Sequence, residues 1–205
     1  IYPEIVRDNP FNSERRVRWL LNEAVFDNEI CYAWEKEMGD YPLLTVNIVE
    51  MSLWKKSRRK TKDVAYYVGK GTLDRRIIPH GAIEISRTNF PKRRKLAKLI
   101  ASLDYLISFD PFSAINVEAT VASTPVLLHI PKQQWLPNGT QVPQSWSRER
   151  LQAQGWLRFG IAYCEDELTI ARETVGLQRD YFAQFIKKFD SRVDNFISTT
   201  QDLFH

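Results

Sequence analysis

Two acidic residues eight positions apart, Asp110 and Glu118, are the chain's strongest candidates for chemistry. Asp110 follows a short apolar run, 105–109 (YLISF), and Glu118 lies in a stretch of helical spacing, 114–122. Between them is a polar turn, 110–113 (DPFS), whose Ser113 suits a helix cap. A helix starting there presents the free backbone N–H groups of Ala114, Ile115 and Asn116, which favour an anion such as phosphate. Carboxylates beside an anion site suit a ligand that carries both phosphates and hydroxyls, and a nucleotide-sugar has both. The same residues equally suit a buried α/β unit with a capped helix and a surface glutamate.

A second constellation is Gly69-Lys70-Gly71, directly after the apolar, aromatic run 64–68 (VAYYV). Glycines at a strand end permit close backbone approach, and Lys70 places a cation there. The full Gly-x-x-x-x-Gly-Lys-Ser/Thr phosphate loop is absent, and a solvent-exposed turn lysine is the plainer alternative. Arg87, after the run 81–86 (GAIEIS), is a further candidate contact. No metal site is expected, because the chain contains no Asp-x-Asp.

These residues need elements to hold them. Four-residue apolar runs alternate with helical spacing from residue 99 to residue 129, the pattern of a strand-turn-helix-strand unit. Such units build parallel sheets covered by helices. Strands are expected at 1–6, 29–34, 43–49, 64–68, 81–86, 105–109 and 125–128. Helices are expected at 13–22, 92–103, 114–122, 167–188 (capped by Asp166) and 191–204. The stretch 155–163 reads as strand-like pieces between glycines. The long loop 131–150, with two tryptophans, suits either a cover over a bound sugar or a plain surface excursion.

The totals bound the answer. The 205 residues are 43% hydrophobic and 26% charged, enough to bury a core in one large domain or two small ones. No run of about 18 apolar residues indicates a membrane span. Cys31 and Cys164 are far apart and outside any Cys-x-x-Cys context, so free thiols of a cytoplasmic protein are expected, with a lone disulfide as the weaker alternative. The chain opens Ile-Tyr-Pro without Met, which reads as a piece of something longer. The net charge of +4 is concentrated in 55–62 (KKSRRKTK) and 92–98 (KRRKLAK). Either cluster suits an anionic partner, peripheral membrane contact included, or is a solvated loop and helix face. No zinc-finger spacing, RNP aromatics or GXXG loop is present, and no nucleic-acid partner is expected.

The central segment resembles the donor-binding motif of retaining GT-B glycosyltransferases of the family-4 type. Their pattern is Glu, seven residues, Glu, then Ala and a Gly-x-Pro-Val strand. Here Asp110 and Glu118 take the acidic positions, Ala119 follows, and Ser123-Thr124-Pro125-Val126 replaces Gly-x-Pro-Val. The resemblance implies that Glu118 holds the nucleotide's ribose hydroxyls and that Asp110 faces the donor sugar. It also implies that Ser113, Ala114, Ile115 and Asn116 lie over the diphosphate. Lys70, flanked by Gly69 and Gly71, matches a basic position that contacts the diphosphate, and Arg87 falls near the expected base site. The chain is similar as well to a group of bacterial polysaccharide-biosynthesis glycosyltransferase-like proteins. The matches are Tyr2-Pro3-Glu4, Asn9-Pro10, the RWLLN run from Arg18, the YYVGKG run from Tyr66, and Asp110-Pro111-Phe112-Ser113-Ala114.

The fold expected is α/β: a Rossmann-like parallel sheet with helices on both faces (a GT-B C-terminal domain), preceded by a partial N-terminal α/β segment. The division expected is an acceptor-side tail at 1–49, a basic linker at 50–63, a nucleotide-sugar-binding domain at 64–188 and a C-terminal helix at 189–205. The activity implied is metal-independent, retaining transfer of a sugar from a nucleotide-diphosphate sugar to a glycan or lipid-linked acceptor in cell-surface polysaccharide synthesis. No cofactor beyond that donor is called for. The location expected is the cytoplasm or the inner face of the membrane. The rival readings are an inactive nucleotide- or sugar-binding module and a structural partner in an envelope-glycan assembly.

Overall fold

The computed structural model describes residues 2–3, 16–20, 30–34, 40–44, 49–57, 59–130, 147–153, 155 and 157–204. The chain divides into two compact units, Ile1–Asn47 with Gln184–His205, and Ile48–Ala183.

In the first unit, β1 (Tyr2–Pro3), β2 (Val17–Leu20) and β3 (Ile30–Ala33) form a parallel sheet in that order. β2 corrects the helix expected over 13–22. Its residues Val17, Arg18 and Leu20 are buried. A strand covered on both faces reads as a continuous apolar run, which spacing alone does not separate from a short helix. Leu20, Cys31 and Ala33 form one apolar cluster, and Val17, Tyr32 and Leu44 form another that also takes in Val193 and Phe196. The strand expected over 43–49 is represented by a single bridge, Ala33 to Leu43, and 45–48 lie outside the described residues.

The second unit is an α/β domain built on a five-stranded, all-parallel sheet. Its elements are β4 (Val64–Tyr67), β5 (Ile83–Ile85), α1 (Arg93–Ser102), β6 (Tyr105–Ser108), α2 (Ala114–Val121), β7 (Val126–Leu128), α3 (Arg148–Ala153) and β8 (Ile161–Ala162). The strand order is β5-β4-β6-β7-β8. The sheet is Rossmann-like, as the alternation of elements led one to expect. β7 is buried at every position, and so is α2 from Ile115 to Val121. α2 is therefore a core element with no solvent face, and a polar residue on it needs a partner. Residues 50–63, read from the sequence as a linker, lie in this unit, where Trp54 is fully buried.

α4 (Leu168–Phe204) is one helix of 37 residues where two were expected. Asp190-Ser191 resembles a helix start, but the Ser191 hydroxyl donates back to the Lys188 carbonyl at 3.0 Å. That bond lets a serine sit inside a helix, and no Gly or Pro falls between Leu177 and Phe204. Asp166 does not begin α4. It lies in a single 3-10 turn, Glu165–Glu167, that leads into the helix. Residues 131–146 of the tryptophan-bearing loop lie outside the described residues, and its end forms the start of α3.

Candidate functional site

Sheet topology selects one place on the second unit. From β4 the chain runs outward to β5, then crosses to the far side of β4 and continues through β6, β7 and β8. The direction reverses between β4 and β6. In open parallel sheets the crevice at such a reversal, beyond the carboxyl ends of the strands, is where ligands bind. Gly69-Lys70-Gly71 follows β4, and Asp110 follows β6.

The two turns are packed into one another. A Cβ on Gly71 would overlap the Phe109 carbonyl, and one on Gly69 would lie 2.7 Å from the Asp110 Cβ. Gly69 also has φ +55, the left-handed region that glycine occupies without strain. The Lys70 backbone N–H donates to Asp110 Oδ2 at 3.0 Å. Asp110 is 6% exposed, and its Oδ1 has no hydrogen-bond partner among the described residues. The Lys70 side chain is exposed.

Asn116 fixes the other side of the Asp110 turn. It is fully buried, and its Nδ2 donates to the carbonyls of Asp110 and Pro111, each at 2.9 Å. Its Oδ1 has no partner among the described residues. Ser113 has the extended backbone of a cap residue, but its side chain makes no capping bond. The Ser113 carbonyl accepts from the Asn116 N–H at 3.1 Å. Of the three N–H groups expected at the helix start, Asn116 is therefore occupied, and Ala114 and Ile115 remain open.

Glu118 lies deeper than its resemblance-implied role suggests. It is 1% exposed, and Arg93 on α1 is its polar partner, with one guanidinium N–H donating to Oε2 at 3.4 Å and another to Oε1. The Arg93 guanidinium also lies over the Trp54 ring, 5.1 Å from its centroid. Burial raises the Glu118 pKa above the ordinary carboxylate value, against the opposing pull of Arg93. Arg87 is exposed in the turn after β5. The structure thus joins Gly69, Lys70, Gly71, Asp110 and Asn116 through direct contacts and hydrogen bonds, and ties Glu118 to α1 instead.

His129, which drew no attention in the sequence, follows β7 at the same carboxyl edge. Its ring stands edge-on to Phe109 with centroids 5.2 Å apart. Burial lowers its pKa, Asp74 partly offsets this, and Arg76 adds to it. Asp74 accepts from the Arg76 backbone and guanidinium. Position at a strand end was the available signal for His129, since a lone histidine carries no spacing. Arg93 likewise read as one of many cations on a solvated helix face.

The segment after α2 explains Ser123. Its φ is +62, and the bonds Ser123 N–H to Thr120 carbonyl and Thr124 N–H to Ala119 carbonyl, both 2.9 Å, close a Schellman motif. Ser123 thus holds the left-handed position that favours glycine.

The arrangement offers an exposed ammonium, two open N–H groups, a carboxylate oxygen without a partner and a half-buried imidazole. Such a set can hold an anion and accept from a neighbouring hydroxyl. Among the described residues, no group of three or more His, Cys, Asp or Glu side chains is placed to hold a metal ion. No family model matches the chain, and no curated protein matches it either.

Proposed function

We propose that the second unit binds a nucleoside diphosphate, as the donor domain of a glycosyltransferase that moves a sugar from a nucleotide-diphosphate sugar to a glycan or lipid-linked acceptor. The observation that carries this reading is the packing of the Gly-Lys-Gly turn against Asp110 at the strand-order reversal. In this reading Lys70 and the open start of α2 balance the charge that develops on the departing diphosphate. The free Asp110 oxygen accepts a donor-sugar hydroxyl. Glu118 reaches the ribose once Arg93 swings away, which the exposed position of the Arg93 side chain permits.

A second reading, a binding module without turnover, has its own observation. Asp110 is engaged by the Lys70 N–H and Glu118 by Arg93, so both acidic residues already have structural partners. The test is a thermal-shift series with UDP, GDP, CDP, ADP and dTDP and their sugar-linked forms, followed by a turnover assay with the stabilising donor. A ligand bound to the folded state raises apparent stability in a concentration-dependent way. Stabilisation by one diphosphate, weakened in Lys70→Ala more than for the matching nucleoside, is expected. No stabilisation of the folded protein by any of them refutes both readings, and stabilisation without turnover selects the second.

A further inference from the structure

The two basic clusters, 55–62 and 92–98, are separated in sequence by β4 and β5 and come together in space. The stretches 51–62 and 85–103 contain twelve of the chain's 29 Lys and Arg and none of its 25 Asp and Glu. The first stretch is tied to α1 at both ends. At the helix start the Trp54 ring lies beneath the Arg93 guanidinium. At the helix end the Thr61 backbone N–H donates to the Ser102 carbonyl at 2.7 Å, and the Thr61 hydroxyl donates to the same oxygen at 3.1 Å. Lys60 adds a third tie, donating to the Thr124 hydroxyl at 2.7 Å, which in turn donates to the Ile100 carbonyl. A ten-residue helix is about 15 Å long, and the basic segment runs alongside it.

α1 turns Leu96, Ala97, Ile100 and Ala101 inward. Arg94, Lys95 and Lys98 are exposed, as are Lys56, Arg59 and Lys62 on the flanking segment. None of these six makes an ion pair among the described residues, whereas Arg93 is engaged by Glu118 and Lys60 by Thr124.

We infer that α1 and the described residues 55–57 and 59–62 form one electrostatic docking surface for an anionic lipid membrane. The charge is spread along a helix and a neighbouring extended segment, which matches the diffuse charge of a headgroup plane. Residues 55–62 and α1 contain no aromatic residue, and the adjoining Trp54 is fully buried with its ring occupied by Arg93, so the surface carries no ring for the base stacking that single-stranded nucleic acid uses. The surface shares α1 with the diphosphate reading through Arg93, but the six cations that carry it do not include Arg93, so neither inference depends on the other.

The test is flotation of the full chain with vesicles of phosphatidylcholine alone and of phosphatidylcholine mixed with phosphatidylglycerol, at low and at physiological salt. Two triple variants accompany it: Arg94→Gln with Lys95→Gln and Lys98→Gln, and Lys56→Gln with Arg59→Gln and Lys62→Gln. All six sites are exposed, and circular dichroism checks that the fold is kept. Binding to the mixed vesicles alone is expected, falling as salt rises, with each triple variant weaker by about a hundredfold. Three outcomes overturn the inference. One is no binding of the wild type to anionic vesicles. Another is one triple variant that binds as the wild type does. The third is displacement from the vesicles by a short RNA at physiological salt, which would assign the surface to nucleic acid.

Discussion

Replacing Arg93 with alanine isolates how Glu118 is held. Glu118 is 1% exposed on a helix buried on all sides, and its polar partner is Arg93. Removing one member of a buried ion pair costs about 3–5 kcal/mol, because the other charge is left without compensation. The Arg93 side chain is 57% exposed, so water reaches one side of the pair and the expected loss shrinks to about 1–3 kcal/mol. For a chain of this length, a loss of about 2 kcal/mol lowers the melting temperature by about 4–8 °C. The loss carries a pH signature. Burial already raises the Glu118 pKa, with Arg93 opposing it, and removing Arg93 raises it further. A carboxyl with a raised folded-state pKa destabilises increasingly as pH climbs through the unfolded glutamate value of about 4.3. Below that value the carboxyl is protonated in both states and the penalty disappears. Urea unfolding of the wild type, Arg93→Ala, and Arg93→Ala with Glu118→Gln, at acidic and at neutral pH, measures this directly. The expected result is a deficit at neutral pH that fades in acid and is largely recovered in the double variant. An equal deficit at both pH values, or no recovery, refutes the reasoning.

Other consequences follow from single positions. Ser123→Gly relieves the left-handed backbone at the end of α2 and is expected to raise stability by about 1 kcal/mol in chemical denaturation; unchanged or lower stability contradicts the strain. Gly71→Ala sets a methyl group against the Phe109 carbonyl, so the turn must move, and both unfolding midpoint and diphosphate affinity are expected to fall; normal values for both contradict the packing. His129 is expected to titrate below the ordinary imidazole value by NMR, and Asp74→Asn is expected to lower it further by removing the carboxylate that supports its charge; an upward move contradicts that assignment. Lys60, lowered to about 8 by burial and by the neighbouring Lys56 charge, is expected to react with an amine-directed reagent near neutral pH faster than Lys62; equal rates contradict the depression.

The parts of the fold that were legible in the sequence are those set by local pattern. The run 105–109, the turn at Asp110 and the helix behind it emerge as β6, the Asp110 turn and α2 because periodicity changes sharply there. β2 was misread because Val17, Leu20 and Leu21 satisfy helical spacing as readily as a short buried strand does. The unbroken α4 was missed because Ser191 suits both a cap and a helix interior, and only its bond to Lys188 decides. At the site, residue types and strand-end positions were readable, but their partners were not. Gly69 and Gly71 meet Phe109 and Asp110 about forty residues away, and Glu118 meets Arg93 from a different helix. Such contacts depend on which strands become neighbours, which no local window contains.

The central claim is that a diphosphate sits where the β4 and β6 turns meet. Its most direct test is NMR titration of the isotope-labelled chain with the diphosphate selected by thermal shift, following backbone amides. The expected result is saturable movement of the Gly69, Lys70, Gly71, Ala114 and Ile115 signals, which is lost in Gly71→Ala. Saturable movement confined to other parts of the chain, with these five unmoved, contradicts the claim.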